Sequence, residues 1–160
     1  MKHHLALVEP ADIPTAGPTP TDNLIAVFRV CTQMERICFD LNGVGLSAVQ
    51  VGVPWKVYIV LNKNRYEYFV DCEYEGIGEK ESSLEGCLSL RNETGLRRFE
   101  VQRYASIRVR GKKLVVDDSG LKLVDIDETF KELAAIIHQH EADHHTGILI
   151  SHIGKEVEML

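Results

Sequence analysis

The sequence lacks any apolar run that approaches the ~20 residues of a membrane-spanning helix. The apolar stretch near the N-terminus, Leu5-Ala6-Leu7-Val8, is too short for a signal peptide, and its surroundings are not rich in arginine as a transit peptide would be. Positive charge is also scarce, since 18 Lys and Arg stand against 24 Asp and Glu, which gives a net charge of -6. This balance argues against general affinity for nucleic acid. We therefore expect a cytoplasmic protein that binds neither DNA nor membranes.

Internal repeats and low-complexity tracts are absent as well, and no linker divides the chain. The 160 residues are enough for one compact domain and few for two. Hydrophobic residues make up 44% and charged residues 26% of the chain, which is the composition of a globular protein. We expect a single domain that spans residues 1–160.

Cysteine is infrequent, with four residues at positions 31, 38, 72 and 87. Cys31 and Cys38 are seven residues apart in a segment with helical periodicity, which separates them by about 10 Å along the helix axis, too far for a disulfide. Without a secretory signal, free thiols are the better interpretation, and a free thiol can be a metal ligand.

Two helices are predicted from periodicity and capping residues. For the first helix, Thr19 is assigned as the N-cap and Pro20 as the first helical residue, and Asn42-Gly43 ends it. The second helix is predicted to begin near Asp127 and to run to about His145. The first helix carries one apolar stripe with spacings of three and four, formed by Leu24, Val27, Cys31, Met34, Cys38 and Leu41.

Strands are predicted between these helices. Residues 57–61 and 66–70 flank a hairpin turn, and residues 114–116 and 121–123 flank a second turn at 117–120. Residues 107–110 alternate between apolar and basic side chains, as a strand does. Because the strands lie between two helices without β-α-β alternation, the predicted fold class is α+β.

His140-Glu141-Ala142-Asp143-His144 on the second helix is the strongest chemical signal. Side chains at i and i+4 share one helix face with Cβ atoms ~5–6 Å apart, so His140 and His144 can bind one divalent cation. Glu141 lies beside that face, where a carboxylate can take a proton from a metal-bound water. The alternative is a surface helix with incidental histidines.

A metal ion at this motif needs a third protein ligand. Upstream, Glu85-Gly86-Cys87-Leu88-Ser89 offers a thiolate, and one Cys with two His leaves a tetrahedral metal one open position, as in catalytic sites. Taken alone, Cys87 would more often be a buried core residue. Downstream candidates stay open at this point, and they are His145, His152, Glu156 and Glu158.

A third segment, Gly43-Val44-Gly45-Leu46-Ser47-Ala48-Val49-Gln50, permits close approach of a ligand to the backbone and supplies an amide donor. In this order, the three segments resemble the three signature motifs of peptide deformylases, and the resemblance extends from about residue 20 to 155. It implies antiparallel or mixed β-sheets packed around a central helix that carries the HExxH motif, together with the N-terminal helix. It also implies an enzyme that removes the formyl group from N-formylmethionine of newly made polypeptides and releases formate.

The resemblance also implies roles for individual residues. The implied ligands of one divalent metal ion, Fe2+ in the cell with Zn2+, Ni2+ or Co2+ as substitutes, are Cys87, His140 and His144. Glu141 corresponds to the general base and later the general acid. Gln50 and the backbone N–H of Leu88 correspond to the donors that face the oxyanion. Gly43 and Gly45 correspond to substrate-binding backbone.

An apolar pocket beside the metal is expected from periodicity. Leu133, Ile136 and Ile137 lie seven, four and three residues before His140, so they share the face that carries the ligands. We expect these residues to form the floor of a pocket sized for a methionine side chain. Packing of the hydrophobic core is the alternative role for the same side chains.

The sequence departs from the family pattern at several positions. Ser47 stands where alanine is usual, and we expect activity to survive this change because a hydroxyl is small and can bond locally. Arg91 stands where proline is common, and His145, in place of a usual leucine, is expected on the surface. The basic residues between 97 and 113 are interpreted as a solvated strand face, with a nascent-chain carboxylate or ribosomal RNA as the alternative partner.

The short C-terminal part resembles organellar or phage deformylases. Many bacterial members continue into a C-terminal helix that is thought to contact the ribosome, so we do not expect docking by that route here. Without a transit peptide, the cytoplasm of a bacterial or phage-infected cell is the expected location.

Two alternative functions remain open. A general HExxH endopeptidase would cleave unformylated peptides and would use a third ligand other than Cys87. A non-catalytic protein with a closed structural metal site would supply four protein ligands and leave no open position. Intact Glu141 and Gln50 argue against this second alternative.

Overall fold

Two long antiparallel strands organise the fold. The computed structural model describes residues 4–158, so residues 1–3 and 159–160 of the predicted domain lie outside the described residues. The helices are α1 (Leu24–Asp40), α2 (Glu132–Asp143) and α3 (Ile150–Ile153), with short 3-10 turns at Pro10–Asp12, Ala48–Val51 and His144–Thr146. The strands are β1 (Gly45–Ser47), β2 (Val57–Asn62), β3 (Arg65–Asn92), β4 (Gly95–Asp117), β5 (Gly120–Lys131) and β6 (Lys155–Val157).

The strands form one six-stranded sheet in the order β1-β2-β3-β4-β5, and β6 pairs with β4. Every ladder in this sheet is antiparallel. Strands β3 and β4 depart from regular register at three places, and such bulges bend and twist long strands. The predicted α+β class is therefore confirmed, with a mostly antiparallel sheet and a few helices.

Local sequence signals placed the two hairpin turns correctly. Strands β2 and β3 pair from Val57 with Val70 to Asn62 with Arg65. Strands β4 and β5 pair up to Asp117 with Gly120. Both turns fall where a short run of polar residues, with Gly120 in the second turn, interrupts two apolar segments, as hairpin turns do.

Helix α1 begins four residues later than the predicted start at Pro20. The Asn23 side chain accepts a hydrogen bond from the Ala26 N–H at 3.2 Å and caps the helix. The Thr19 hydroxyl instead donates to Asp71 Oδ1 at 2.9 Å, so it is not available as a cap. The predicted apolar stripe is confirmed for the four residues that are buried, Val27, Cys31, Met34 and Cys38.

Helix α2 begins at Glu132, so the predicted start near Asp127 is wrong. Residues 127–131 extend β5 and pair with residues 106–110 of β4. Asp127 accepts two hydrogen bonds of 2.7 Å from Arg108 across this ladder. Tertiary pairing thus overrides a local helix-start signal. The helix ends at Asp143, and His144 opens the following 3-10 turn with helical dihedral angles.

The interior consists of three hydrophobic clusters. The first packs α1 against β1 and β2 and includes Met34 and Leu88. The second includes Phe69 and Ile137 and lies beneath α2. The third includes Cys87 and Phe99. None of the helices within residues 4–158 combines the length and apolar character that a membrane crossing requires.

Candidate metal centre and active site

Three buried side chains from distant parts of the chain converge at one point. Cys87 on β3, His140 on α2 and His144 in the next turn each offer one donor atom, and these atoms lie within 4.8 Å of one another. Cys87 Sγ is 3.7 Å from His144 Nε2. One thiolate and two imidazoles fit a divalent transition metal and leave a fourth position open. Among the described residues, the downstream alternatives His145, His152, Glu156 and Glu158 join no such group.

A buried hydrogen-bond network fixes both imidazoles. His140 Nδ1 lies 2.8 Å from Glu85 Oε1, and His144 Nδ1 lies 3.0 Å from the Ile148 carbonyl oxygen. When Nδ1 of each ring is held in this way, Nε2 is the atom that remains for a metal. Carboxylate and carbonyl partners of this kind orient metal-binding histidines and increase their basicity.

Glu85 is itself held by Arg103, which is 4% exposed. The guanidinium donates to both oxygens of the Glu85 carboxylate, at 2.9 and 3.0 Å, and to Asp143 Oδ2 at 2.6 Å. The Tyr74 hydroxyl donates to the second oxygen of Asp143 at 2.7 Å. A bidentate guanidinium–carboxylate pair gives direction as well as charge, so it defines where Glu85 holds His140.

The electrostatics of the site favour positive charge between Glu85 and Cys87. Burial alone would raise the pKa of Glu85, but hydrogen bonds from His140 and Arg103 lower this pKa to about 2. Burial opposes the charged form of His140, yet the hydrogen bonds with Cys87 and Glu85 raise its pKa to about 10. Burial and the neighbouring His140 hold the pKa of His144 well below its usual range, so its imidazole stays neutral and keeps a lone pair.

Glu141 lies directly beside the ligand group. Its Oε1 is 3.7 Å from His144 Nε2, and the residue is 4% exposed. Burial raises the pKa of this carboxyl group to about 7. A carboxyl group with a pKa near neutrality can both take up and release a proton at physiological pH.

The amide of Gln50 faces the same point. Gln50 Oε1 accepts a hydrogen bond from the Ser47 N–H at 2.9 Å, and this fixes which end of the amide points inward. Gln50 Nε2 then lies 3.5 Å from Cys87 Sγ and 3.0 Å from Ser89 Oγ. The 3-10 turn Ala48–Val51 that follows β1 places this side chain, which is 1% exposed.

Leu88 lies in an irregular part of β3. Pairing with β4 stops at Gly86 and resumes only at Arg91, so residues 87–90 do not take part in that ladder. Backbone groups outside a ladder can serve other partners. Leu88 also contacts the cavity described next.

A cavity of about 320 Å³ opens beside Glu141 and His140. Its lining brings together the five residues that the sequence assigned to substrate, namely Gly43, Gly45, Leu133, Ile136 and Ile137. Leu133 is 64% exposed and lies at the mouth, whereas Ile137 is 8% exposed and lies deeper. Arg98 also lines the cavity, whereas the sequence placed it only in the basic stretch at 97–113 that was interpreted as a solvated strand face.

His145 is buried, so the predicted surface position is wrong. The residue is 4% exposed because the 3-10 turn after α2 directs its ring towards β2. Its Nε2 lies 3.4 Å from the Val57 carbonyl oxygen, and its ring centroid lies 5.7 Å from that of Tyr58. Burial lowers the pKa of His145 to about 4, so it packs as a neutral aromatic ring.

The basic stretch at residues 97–113 divides into two kinds of residue. Exposed members pair with carboxylates on neighbouring strands, as Arg97 does with Glu156 and Arg108 with Asp127. Arg103 instead lies in the interior and supports the site, so the prediction of a solvated face is wrong for this residue. The available signal was the spacing along β4, because alternate residues share one face of a strand and Arg103 therefore lies on the same face as Phe99 and Val101.

The chain is similar in sequence and in structure to known peptide deformylases. The family model described as polypeptide deformylase matches residues 18–158. The chain is 36% identical over 148 residues to a peptide deformylase of Desulfosudis oleivorans, covering 88% of this chain and 79% of that one. It is 31% identical over 160 residues to a peptide deformylase of Syntrophomonas wolfei, covering 99% and 96%. A class I type b peptide deformylase from Acinetobacter baumannii bound to Met-Ala-Ser has a similar structure, with a TM-score of 0.78, 25% identity and coverage of 96% and 99%.

Proposed function

We propose that Cys87, His140 and His144 hold the catalytic metal ion of this chain, which belongs to the polypeptide deformylase family. The enzyme removes the N-formyl group from newly made polypeptides and binds formylated peptides as substrates. The family depends on a metal. The convergence of one thiol and two imidazoles within 4.8 Å is the observation that carries the assignment of the ligands.

The donor set supports a metal that accepts both sulfur and nitrogen ligands. Thiolates and imidazoles suit Fe2+ and Zn2+, and we propose Fe2+ as the ion in the cell, with Zn2+, Ni2+ or Co2+ as substitutes. When bound, such an ion acts as a Lewis acid and lowers the pKa of water to about 7. Glu85 would support this ion through His140, since it holds Nδ1 of the imidazole and leaves Nε2 for a metal.

We propose that Glu141 moves the proton. Its carboxylate takes a proton from the attacking water and later delivers that proton to the departing amine. The C–N bond of the formamide breaks, and the products are formate and a free amino terminus. The pKa of about 7 suits a group that must first accept and then donate.

Two donors face the charge that develops on the formyl oxygen. Gln50 Nε2 carries the side-chain donor, and its amide is fixed by the bond from the Ser47 N–H. The N–H of Leu88 is the backbone donor, in the segment that does not pair with β4. Preorganised donors of this kind stabilise a developing oxyanion far more than water does.

The cavity is the proposed site for the methionine side chain. Ile136 and Ile137 form its apolar wall and Leu133 its edge, while Gly43 and Gly45 leave room for the peptide backbone. Met-Ala-Ser occupies the relative from Acinetobacter baumannii, and we infer the same class of ligand for this chain. We further propose that one catalytic domain, residues 1–160, works in the cytoplasm of a bacterial or phage-infected cell.

Formate release from formyl-Met-Ala-Ser, measured after anaerobic loading with Fe2+, tests the assignment. We expect Glu141→Gln to retain iron and to lose about 10²- to 10⁴-fold in kcat, because general acid–base catalysis contributes roughly that factor. Cys87→Ala should lose iron. Glu128 is exposed, so Glu128→Gln is the matched control and should have the iron content and the kcat of the wild type.

Two outcomes would contradict these roles. Full activity of Glu141→Gln would remove the proton-transfer role. Retention of iron by Cys87→Ala, with cleavage of unformylated peptides, would favour the HExxH endopeptidase alternative.

A further inference from the structure

The hydroxyl of Ser47 touches the carboxylate that we assign as general base. Ser47 is completely buried, and its Oγ lies 2.7 Å from the main-chain oxygen and 3.1 Å from Oε1 of Glu141. We propose that Ser47 is a positioning residue that fixes the Glu141 carboxylate in its working orientation. This inference rests on the role of Glu141 given above.

Strand β1 holds the two oxygens of the carboxylate from one face. Residues 45 and 47 point to the same side of a strand because side chains alternate. The Ser47 hydroxyl is within hydrogen-bond distance of Oε1. At position 45, a Cβ would lie 2.7 Å from Oε2 of Glu141, so only glycine leaves room for that oxygen. Oε1 of Glu141 is therefore in contact with the Ser47 hydroxyl, and Oε2 lies against the backbone of Gly45.

The same hydroxyl also ties β1 to the end of α2. The last four carbonyl groups of a helix have no partner within the helix, and Glu141 lies in that last turn. Ser47 Oγ is close enough to donate to this carbonyl oxygen as well as to Oε1. Because a hydroxyl has one hydrogen and a free rotor, it moves between these acceptors without any change in heavy-atom position. The Ser47 hydroxyl of β1 thus contacts both the main chain and the side chain of Glu141.

Substitution of the side chain separates this effect from the placement of Gln50. The Gln50 amide is held by the backbone N–H of Ser47, which every substituted residue except proline retains. Ser47→Ala therefore keeps the bond from the residue 47 N–H to Gln50 Oε1 and removes the contacts of the hydroxyl, which are those to Glu141 and the capping-box contact with the Gln50 N–H. The deformylase resemblance implies alanine at this position in relatives, so we expect the variant to fold.

The test compares kcat and KM for formate release by the iron-loaded enzyme. Loss of a hydrogen bond to a charged group is expected to lower the kcat of Ser47→Ala about tenfold, with KM and iron content close to the wild type. Tm should fall as well, because the Glu141 main-chain oxygen loses a buried donor, so the change of kcat relative to KM is the readout of the positioning role. Ser47→Thr keeps a hydroxyl and should recover most of the lost kcat. Thr146→Val is the matched control, since Thr146 Oγ1 donates to the Asp143 carbonyl oxygen at the same helix end but is exposed. It should leave kcat unchanged.

A double-substitution cycle with Glu141→Asp identifies the partner. The shorter carboxylate cannot keep the same contact, so we expect Ser47→Ala to have almost no further effect on kcat in that background. The same tenfold loss in both backgrounds would overturn the inference, because the hydroxyl would then act through another group. A kcat of Ser47→Ala within about twofold of the wild type would overturn it as well.

These results are distinct from a failure of the proposed function. A wild-type enzyme that releases no formate would contradict the function itself. An active wild type whose Ser47→Ala variant has the same kcat, or differs only in KM, would leave the function intact and would remove only the positioning role.

Discussion

Replacement of Arg103 by methionine tests the buried network behind the proposed metal ligands. The substitution keeps an unbranched side chain and removes the guanidinium that bonds both Glu85 and Asp143. These two carboxylates are 6% and 11% exposed, so each would lose its guanidinium while buried, with the His140 imidazole left beside Glu85 and the Tyr74 hydroxyl left beside Asp143. Breaking a buried ion pair from one side costs about 3–5 kcal/mol. For a chain of this length, that corresponds to a fall in Tm of roughly 10 °C.

The loss should shrink in acid. Although burial raises the pKa of Glu85, its hydrogen bonds from His140 and Arg103 lower this pKa from 4.5 to about 2. A carboxylate with a lowered folded-state pKa stabilises the fold above its unfolded pKa, and this contribution disappears as the pH falls towards 2. The difference in stability between wild type and Arg103→Met is therefore largest near pH 7 and smaller below about pH 4.

Urea unfolding at pH 7 and at pH 4 measures both effects, and iron affinity adds a second readout. We expect iron to bind roughly 10- to 100-fold more weakly, because Glu85 would no longer be held against His140. Arg97→Met is the matched control: Arg97 makes the same two-bond contact with Glu156, at 2.8 and 3.0 Å, but both side chains are exposed, so the urea midpoint should hardly change. A loss for Arg103→Met below about 1 kcal/mol at pH 7 would refute the reasoning.

Two further predictions concern Gly45, which lies beside the Glu141 carboxylate, and His138, which packs against Tyr58, Phe69 and Phe130. Gly45→Ala places a Cβ 2.7 Å from Glu141 Oε2, so kcat should fall about 100-fold because the carboxylate is displaced. A Cβ at Gly17 would meet its nearest atom at 3.5 Å, so the control Gly17→Ala should keep full activity. An equal kcat in the two variants would contradict this prediction. Burial lowers the pKa of His138 from 6.5 to about 4, so its contribution to stability is present above pH 6.5 and is lost as the pH falls towards 4. The part of the loss that comes from His138 is about 3 kcal/mol and should be absent in His138→Gln, while the part that comes from His145, whose pKa is also lowered to about 4, remains. An unchanged pH slope of the urea midpoint in that variant would contradict the assignment.

Much of the fold and of the site could be predicted from the sequence, because those features depend on local patterns. The stripe on α1 follows from helical periodicity, and both hairpin turns follow from residues that favour turns. The grouping of Cys87 with His140 and His144 was implied by the resemblance of three ordered motifs to peptide deformylases, whereas ligand chemistry alone left the third ligand open. These signals are contained in short segments of the chain.

What could not be predicted depends on partners that are distant in sequence. Asp127 has the character of a helix N-terminal residue, but Arg108 across the ladder keeps it in a strand. His145 looks polar in a sequence, yet the turn after α2 places its ring among aromatic side chains. Arg103 reads as one of several surface cations until the fold brings Glu85 and Asp143 to it. Burial of a charged or polar side chain is a property of the packed structure.

The meeting of three hydrophobic clusters at one site has a consequence for how this enzyme tolerates change. Leu88, Ile137 and Cys87 each belong to a different cluster, so the proposed metal ligand, oxyanion donor and pocket wall are supported by separate packing units. A conservative exchange deep inside any one unit, at Met34 or Phe99 for example, shifts one functional group relative to the other two. Catalysis is sensitive to displacements near 1 Å. Turnover is therefore expected to respond to changes of packing in any of the three clusters, and adaptive change is expected to be easiest on the outer faces of the sheet.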